Sequence, residues 1–233
     1  MLPPKFEFFT NLELNCACEL LCPGCPFWQT NDPVPLKKLR FNSRAIHLTG
    51  GNPLSYPDLP KLLVQLKQAK RFVTLTTCGY RLETLEPKLL LLIDLVLLYL
   101  PGCTGENSIK YSGFNSSPKQ IRAIEYLQEF KRKFAVLYPA DSETLEDLPD
   151  LYHKLNKRNS YLLLLYNKKS EYIIPRQERN YLYYYAQRPN TLVYTYKSTA
   201  PLNCQDFTRN LKQLTIPNLL FLSKLFFKLY FFN

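Results

Sequence analysis

Short β-prone runs alternate with helix-prone runs along the first two thirds of this 233-residue chain, and that alternation narrows the fold most. Phe6 to Asn15, 45–49, 72–77, Asp94 to Leu100, 134–138 and Tyr161 to Tyr166 read as strands. Between them, Pro57 to Lys70 has helical spacing at Leu59, Leu62, Leu63 and Leu66; Leu82 to Ile93, Ser116 to Lys131 and 143–158 read as further helices. Residues 29–44 are too Pro-broken for a long helix, which predicts a short or irregular first crossover. Strand–helix alternation of this kind builds βαβ units and a parallel sheet. Tyr161 to Tyr166 is a continuous apolar run, as a strand buried on both faces requires. Beyond about residue 170 the pattern loosens: RQERNYLYYYAQ reads as a helix and TLVYTYK as a last strand.

The first strand delivers a loop, CELLCPGC, with thiols at Cys18, Cys22 and Cys25. Three thiolates can hold three irons of a 4Fe-4S cube, and because such clusters take four cysteines when closed, three leave one iron open for a ligand. The same logic separates catalytic from structural zinc sites, where an open position marks chemistry. Cys16 lies two residues upstream and would complete a four-thiolate structural zinc site, so spacing alone leaves both metals open.

A second segment, AIHLTGGNPLSYPDLPKLL, reads as a strand, the glycine pair Gly50-Gly51, a Pro-bounded loop and a helix. With the C-x₃-C-x₂-C loop before it and FVTLTTCGY after it, this order resembles the core of the radical S-adenosylmethionine (SAM) superfamily over roughly residues 6 to 158. The resemblance implies an α/β fold, an open (β/α)6 partial TIM-type barrel with a short C-terminal appendage. Residues 1–198 would form that core, and residues 199–233 an apolar helical tail packed on it. It further implies a 4Fe-4S cluster on Cys18, Cys22 and Cys25, and SAM held by Gly50, Gly51, Asn52 and Pro53. Reductive cleavage of SAM would yield a 5′-deoxyadenosyl radical for hydrogen abstraction.

Two positions depart from the family pattern. Asn52 stands where the family's Gly-Gly-Glu-Pro loop carries the Glu that contacts the SAM amine, and Gly24 stands where many members carry an aromatic residue. Phe27 or Trp28 could supply that ring. These departures motivate a second reading, a degenerate barrel that binds the cluster without turning over SAM. Cys78 and Cys103 each follow a strand, where a thiol could quench a substrate radical by donating hydrogen or serve simply as a small buried apolar group. Cys204 follows the last strand. His47, on the second strand, is either a proton handler or a hydrogen-bonded core residue.

The formal charge of +11 invites a nucleic-acid partner, but the lysines and arginines are scattered, and the chain is rich in Lys, Asn, Tyr, Phe and Leu together. Nucleic acid is therefore not expected. SAM, a small-molecule or peptide or protein substrate, and an electron donor such as a flavodoxin or ferredoxin are. Seven unevenly clustered cysteines do not suggest a secreted disulfide framework, and no basic segment precedes a long apolar run at the N-terminus. The expectation is a reducing cytoplasm. In the tail, IPNLLFLSKLFFKLYFFN is apolar almost all round; packing on the barrel edge is favoured over membrane contact.

Overall fold

The structure is a computed structural model that describes residues 9–167 and 180–196, apart from 24, 30, 142, 143, 156–158, 181, 183 and 189. Cys204 and the apolar tail lie outside the described residues.

Seven parallel strands form one sheet in sequence order: β1 Phe9–Glu13, β2 Ala45–Thr49, β3 Phe72–Thr77, β4 Leu95–Tyr99, β5 Phe134–Ala140, β6 Ser160–Asn167 and β7 Thr191–Tyr196. The order runs linearly from β1 to β7, so the barrel is open. The helices are α1 Leu59–Gln68, α2 Pro87–Leu90, α3 Gly105–Ser112, α4 Ser117–Glu129 and α5 Leu148–Lys154. The seventh strand extends the six-unit expectation: TLVYTY pairs in parallel with β6, Leu163 opposite Leu192 and Leu165 opposite Tyr194.

Strand alternation sorts the apolar residues into two cores. On the convex face, Ile46, Leu48, Val73, Leu75, Val96, Leu98, Val136 and Leu164 pack under the helices. There α1 contributes Leu59, Leu62, Leu63 and Leu66 at helical spacing, each side chain worth about 1.5–3 kcal/mol when fully buried. On the concave face, Leu95, Leu97, Tyr99, Leu137, Tyr161, Leu163 and Leu165 meet Leu20, Cys22, Cys25 and Phe27, so the cysteine loop folds into the bowl of the sheet. The β1–β3 half of that face is polar instead. Asn11, His47 and Thr74 lie side by side in register.

Two segments differ from the sequence expectation. Residues 82–93 do not form one helix; a 3-10 turn at Leu82–Thr84 is followed by the single turn α2. Pro87 is the reason, because it drives Glu86 to an extended conformation (φ −54°, ψ 136°) and interrupts helical hydrogen bonding. Between β4 and α4 the chain forms α3, whose polar sequence hid its periodicity. Thr104 caps it by accepting from the Asn107 N–H at 3.3 Å, and Gly113 ends it with φ 83°.

Candidate functional site

The cysteine loop leaves β1 through Asn15, which adopts φ 53°, and is sewn at once to the end of β2. Leu14 N–H donates to the Thr49 carbonyl at 2.8 Å, Cys16 N–H to Gly50 at 2.9 Å, and Asn52 N–H to Ala17 at 3.3 Å. Gly50 and Gly51 make this possible. Both have left-handed backbone, φ +90° and +80°, and a Cβ at Gly51 would fall 1.7 Å from the Cys16 carbonyl oxygen. Their absent side chains thus admit the backbone of the cysteine loop. Further along, Leu21 N–H donates to the Ser112 carbonyl at 2.8 Å, tying the loop to the end of α3.

The thiols divide between the two cores. Cys22 and Cys25 are buried on the concave side with Cys78, and Cys18 packs partly against them. Cys16 faces the other way, into the helix-side core, with its thiol 3.7 Å from the Leu14 carbonyl and burial pushing its pKa up to about 12. It does not share a core with Cys22 and Cys25. The fourth sulfur near the loop is Cys78: Cys18, Glu19 and Cys78 offer ligand atoms within 4.8 Å of one another. The Cys78 thiol hydrogen-bonds Cys18, which lowers the Cys18 pKa and, with burial, raises that of Cys78. Burial also raises the Cys22 pKa, and Cys18 and Cys25 nearby add to it. Cys103 lies elsewhere. It packs against the helix-side core near Tyr138 and Asp147, with burial pushing its thiol up to about 12.

Asn52 is fully buried and both ends of its amide are engaged. Its Nδ2 donates to Glu19 Oε2 at 2.7 Å, while Oδ1 accepts from the Thr77 hydroxyl at 2.8 Å and from the Leu54 N–H at 3.4 Å. Pro53 opens the 3-10 turn that follows. Glu19 also accepts from Arg81 Nε at 2.6 Å. Glu19, Arg81 and Thr77 are site residues that sequence reasoning did not find. Glu19 is one of the three residues between Cys18 and Cys22 to which the spacing assigns no role, Thr77 reads only as the end of a strand, and Arg81 lies outside the motifs.

His47 lies on the concave face with Nδ1 2.6 Å from the Thr74 hydroxyl and Nε2 3.0 Å from that of Thr76. At 2% exposure it is a hydrogen-bonded core residue. Phe27 is buried beside Cys22 and Cys25, whereas Trp28 is exposed.

Thiols are the donors an iron–sulfur cluster takes, and three without a disulfide stand on this loop, two of them buried, with the glycine-pair loop locked against its base. Among the described residues the group brought within 4.8 Å is Cys18, Glu19 and Cys78, without Cys22 or Cys25. The sequence profile of the Radical SAM superfamily matches residues 12–155, more than half of the chain. The chain belongs to the radical SAM superfamily. This family's cofactors are a 4Fe-4S cluster and SAM. Among curated relatives, a PqqA peptide cyclase from Granulibacter bethesdensis is 25% identical over 152 residues, 59% of this chain and 41% of the cyclase. The fold is similar to that of Streptococcus suis SuiB bound to S-adenosylmethionine (TM-score 0.61, 16% identity, 83% of this chain and 51% of SuiB). It is also similar to SuiB bound to the precursor peptide SuiA (TM-score 0.62, 15% identity, 97% and 55%). A further match is anSMEcpe with bound AdoMet and the Cp18Cys peptide (TM-score 0.52, 16% identity, 88% and 58%). The chain therefore spans less than half of the cyclase and little more than half of these solved structures, and at such identity the structural matches show the fold. Among the described residues, no helix is long and apolar enough to cross a membrane.

Proposed function

We propose that this chain is the catalytic core of a radical SAM enzyme acting on a peptide, with Cys18, Cys22 and Cys25 as cluster ligands and the loop Gly50-Gly51-Asn52-Pro53 lining the SAM site. One observation carries the reading: the cysteine loop and the glycine-pair loop are interlocked backbone to backbone, Gly51 against Cys16, at the carboxyl ends of β1 and β2. In (β/α) barrels that end of the sheet hosts the chemistry. Cys18, Cys22 and Cys25 would hold the cluster, which would supply the electron for reductive cleavage of SAM and so the means of abstracting hydrogen from substrate. The protein binds, orients and excludes water. Leu20 and Phe27 pack with Cys22 and Cys25 in the apolar half of the bowl, where Leu97, Tyr99 and Leu163 lie buried beneath them and keep water from the thiols. Of the two candidate hydrogen donors, Cys78 is the stronger, because it shares the concave core with the cluster ligands; Cys103 packs on the helix side. A peptide substrate is supported by the names of the relatives, a peptide cyclase, SuiB with its precursor peptide and anSMEcpe with a peptide. A flavodoxin or ferredoxin would deliver the electron.

Cys78 also favours a second reading. A fourth thiol this close to Cys18 could close the cluster and leave no iron for SAM, making the chain a non-catalytic iron–sulfur protein. Anaerobic reconstitution with iron and sulfide, followed by reductant and SAM, separates the two. The enzymatic reading expects 5′-deoxyadenosine; a loaded cluster without it supports the second reading, and a protein that takes up only zinc defeats both. Cys18→Ala, Cys22→Ala and Cys25→Ala should each abolish the visible absorbance of the cluster, and Cys16→Ala should leave it. Loss of colour in Cys16→Ala alone would make Cys16 a ligand and overturn the assignment.

A further inference from the structure

An acid between the first two thiols of a cluster loop is electrostatically unwelcome, since thiolate ligands already concentrate negative charge there. Glu19 nevertheless holds that position, with its side chain only 19% exposed. Its oxygens accept from Asn52 Nδ2 at 2.7 Å, Arg81 Nε at 2.6 Å, and the Ser55 hydroxyl and Cys78 thiol at 3.4 Å each. The carboxylate is thus fixed where the cysteine loop, the glycine-pair loop and the exit from β3 converge. Among the described residues it is the acid that groups with Cys18 and Cys78 within 4.8 Å.

Position 52 cannot carry this charge as the site is built. Its side chain is completely buried, and Nδ2 donates to Glu19 at 2.7 Å. A carboxylate there would face another carboxylate at hydrogen-bond distance with no proton between them, a strongly unfavourable pair in a buried setting. The amide at 52 and the acid at 19 are complementary, and the negative charge sits on the cysteine loop.

Resting on the functional reading above, we propose that Glu19 is the carboxylate that accepts from the amino group of SAM in this chain, and that Asn52 is the positioning residue that orients it. Without SAM, Arg81 supplies the countercharge. Its side chain is 56% exposed, so water screens the pair and the guanidinium can give way to an N–H donor of SAM at small cost.

The test compares two probes on the cluster-loaded protein: SAM, which has the amino group, and 5′-methylthioadenosine, which lacks the amino-acid portion. Glu19→Gln keeps the shape and removes the charge. It should weaken SAM about tenfold, as expected for loss of one charge-assisted bond, and change 5′-methylthioadenosine by less than about twofold. Asn52→Glu should also weaken SAM, and the exchange Glu19→Gln/Asn52→Glu should recover most of the loss. Equal weakening of both probes by Glu19→Gln would reduce Glu19 to a structural role and overturn the inference. So would tighter SAM binding by Asn52→Glu alone. Where Asn52→Glu does not fold, as shown by its thermal melt, the two-probe comparison on Glu19→Gln decides. Absence of SAM binding by the loaded wild-type chain would defeat the functional reading itself and the inference with it; the other outcomes defeat the inference alone.

Discussion

Replacing Gly51 by Ala tests whether the two motif loops form a rigid interlock. The added methyl carbon would sit 1.7 Å from the Cys16 carbonyl oxygen and 2.7 Å from its carbon, where ordinary contact begins at 3.4 Å. Both atoms are backbone and cannot swing aside as a side chain would. The left-handed backbone, φ +80°, adds about 1–2 kcal/mol for any L-residue. Overpacking a filled site costs about 1–3 kcal/mol more. The sum, about 2–5 kcal/mol, is a large share of the about 5–15 kcal/mol that holds a typical protein folded. At about 2–4 °C per kcal/mol for a chain of this size, the melting temperature should fall by about 4–20 °C. Calorimetry of the apo protein reads the stability, and iron content after anaerobic reconstitution reads the site; the expectation is loss of both. Gly105→Ala is the control: there the new Cβ meets only the Asn115 side-chain amide, at 3.0 Å, and the change should stay within about 1 kcal/mol. A Gly51→Ala protein that melts with the control and loads a full complement of iron would refute the interlock.

Three other outcomes are expected. In the apo protein, limited alkylation near neutral pH should modify Cys18 before Cys103, since the Cys78 hydrogen bond lowers the Cys18 pKa while burial pushes that of Cys103 up to about 12; peptide mass spectrometry checks the order, and equal rates would contradict it. Cys103 stays protonated in the folded chain after the unfolded chain has ionised, so its contribution is intact below the ordinary value of 9.0 and is lost as pH rises toward about 12. Denaturant midpoints over that range should fall less steeply in Cys103→Ala, and identical slopes would remove Cys103 from the account. His47→Ala, which deletes contacts of 2.6 and 3.0 Å to Thr74 and Thr76, should cost about 2–4 kcal/mol of stability. Unchanged stability with turnover abolished would instead make His47 a proton handler.

The parallel sheet was legible in the residues because short β-prone runs alternate with helix-prone ones, and because Tyr161 to Tyr166 is the continuous apolar run of a strand buried on both faces. Ala45–Thr49 and Phe72–Thr77 could be read to the residue. The irregular first crossover was legible for a similar local reason, its prolines. Where helices depended on context, reading failed: the apolar residues of 82–93 are buried as in a helix, yet Pro87 breaks the backbone, and α3 is held by its caps more than by periodicity. The glycine pair was recognisable, but its partner was not, since only the folded chain reveals that Cys16 occupies the missing side-chain space. The sequence alone determined which motifs exist and in what order they reach the end of the sheet, because spacing and residue chemistry are local properties. Tertiary structure decided which face each thiol takes, sending Cys16 to the helix-side core and Cys78 to Cys18. It also paired Glu19 with Asn52 across 33 positions of chain. Those contacts are set by the path of loops between parallel strands, and a loop's path depends on what it packs against.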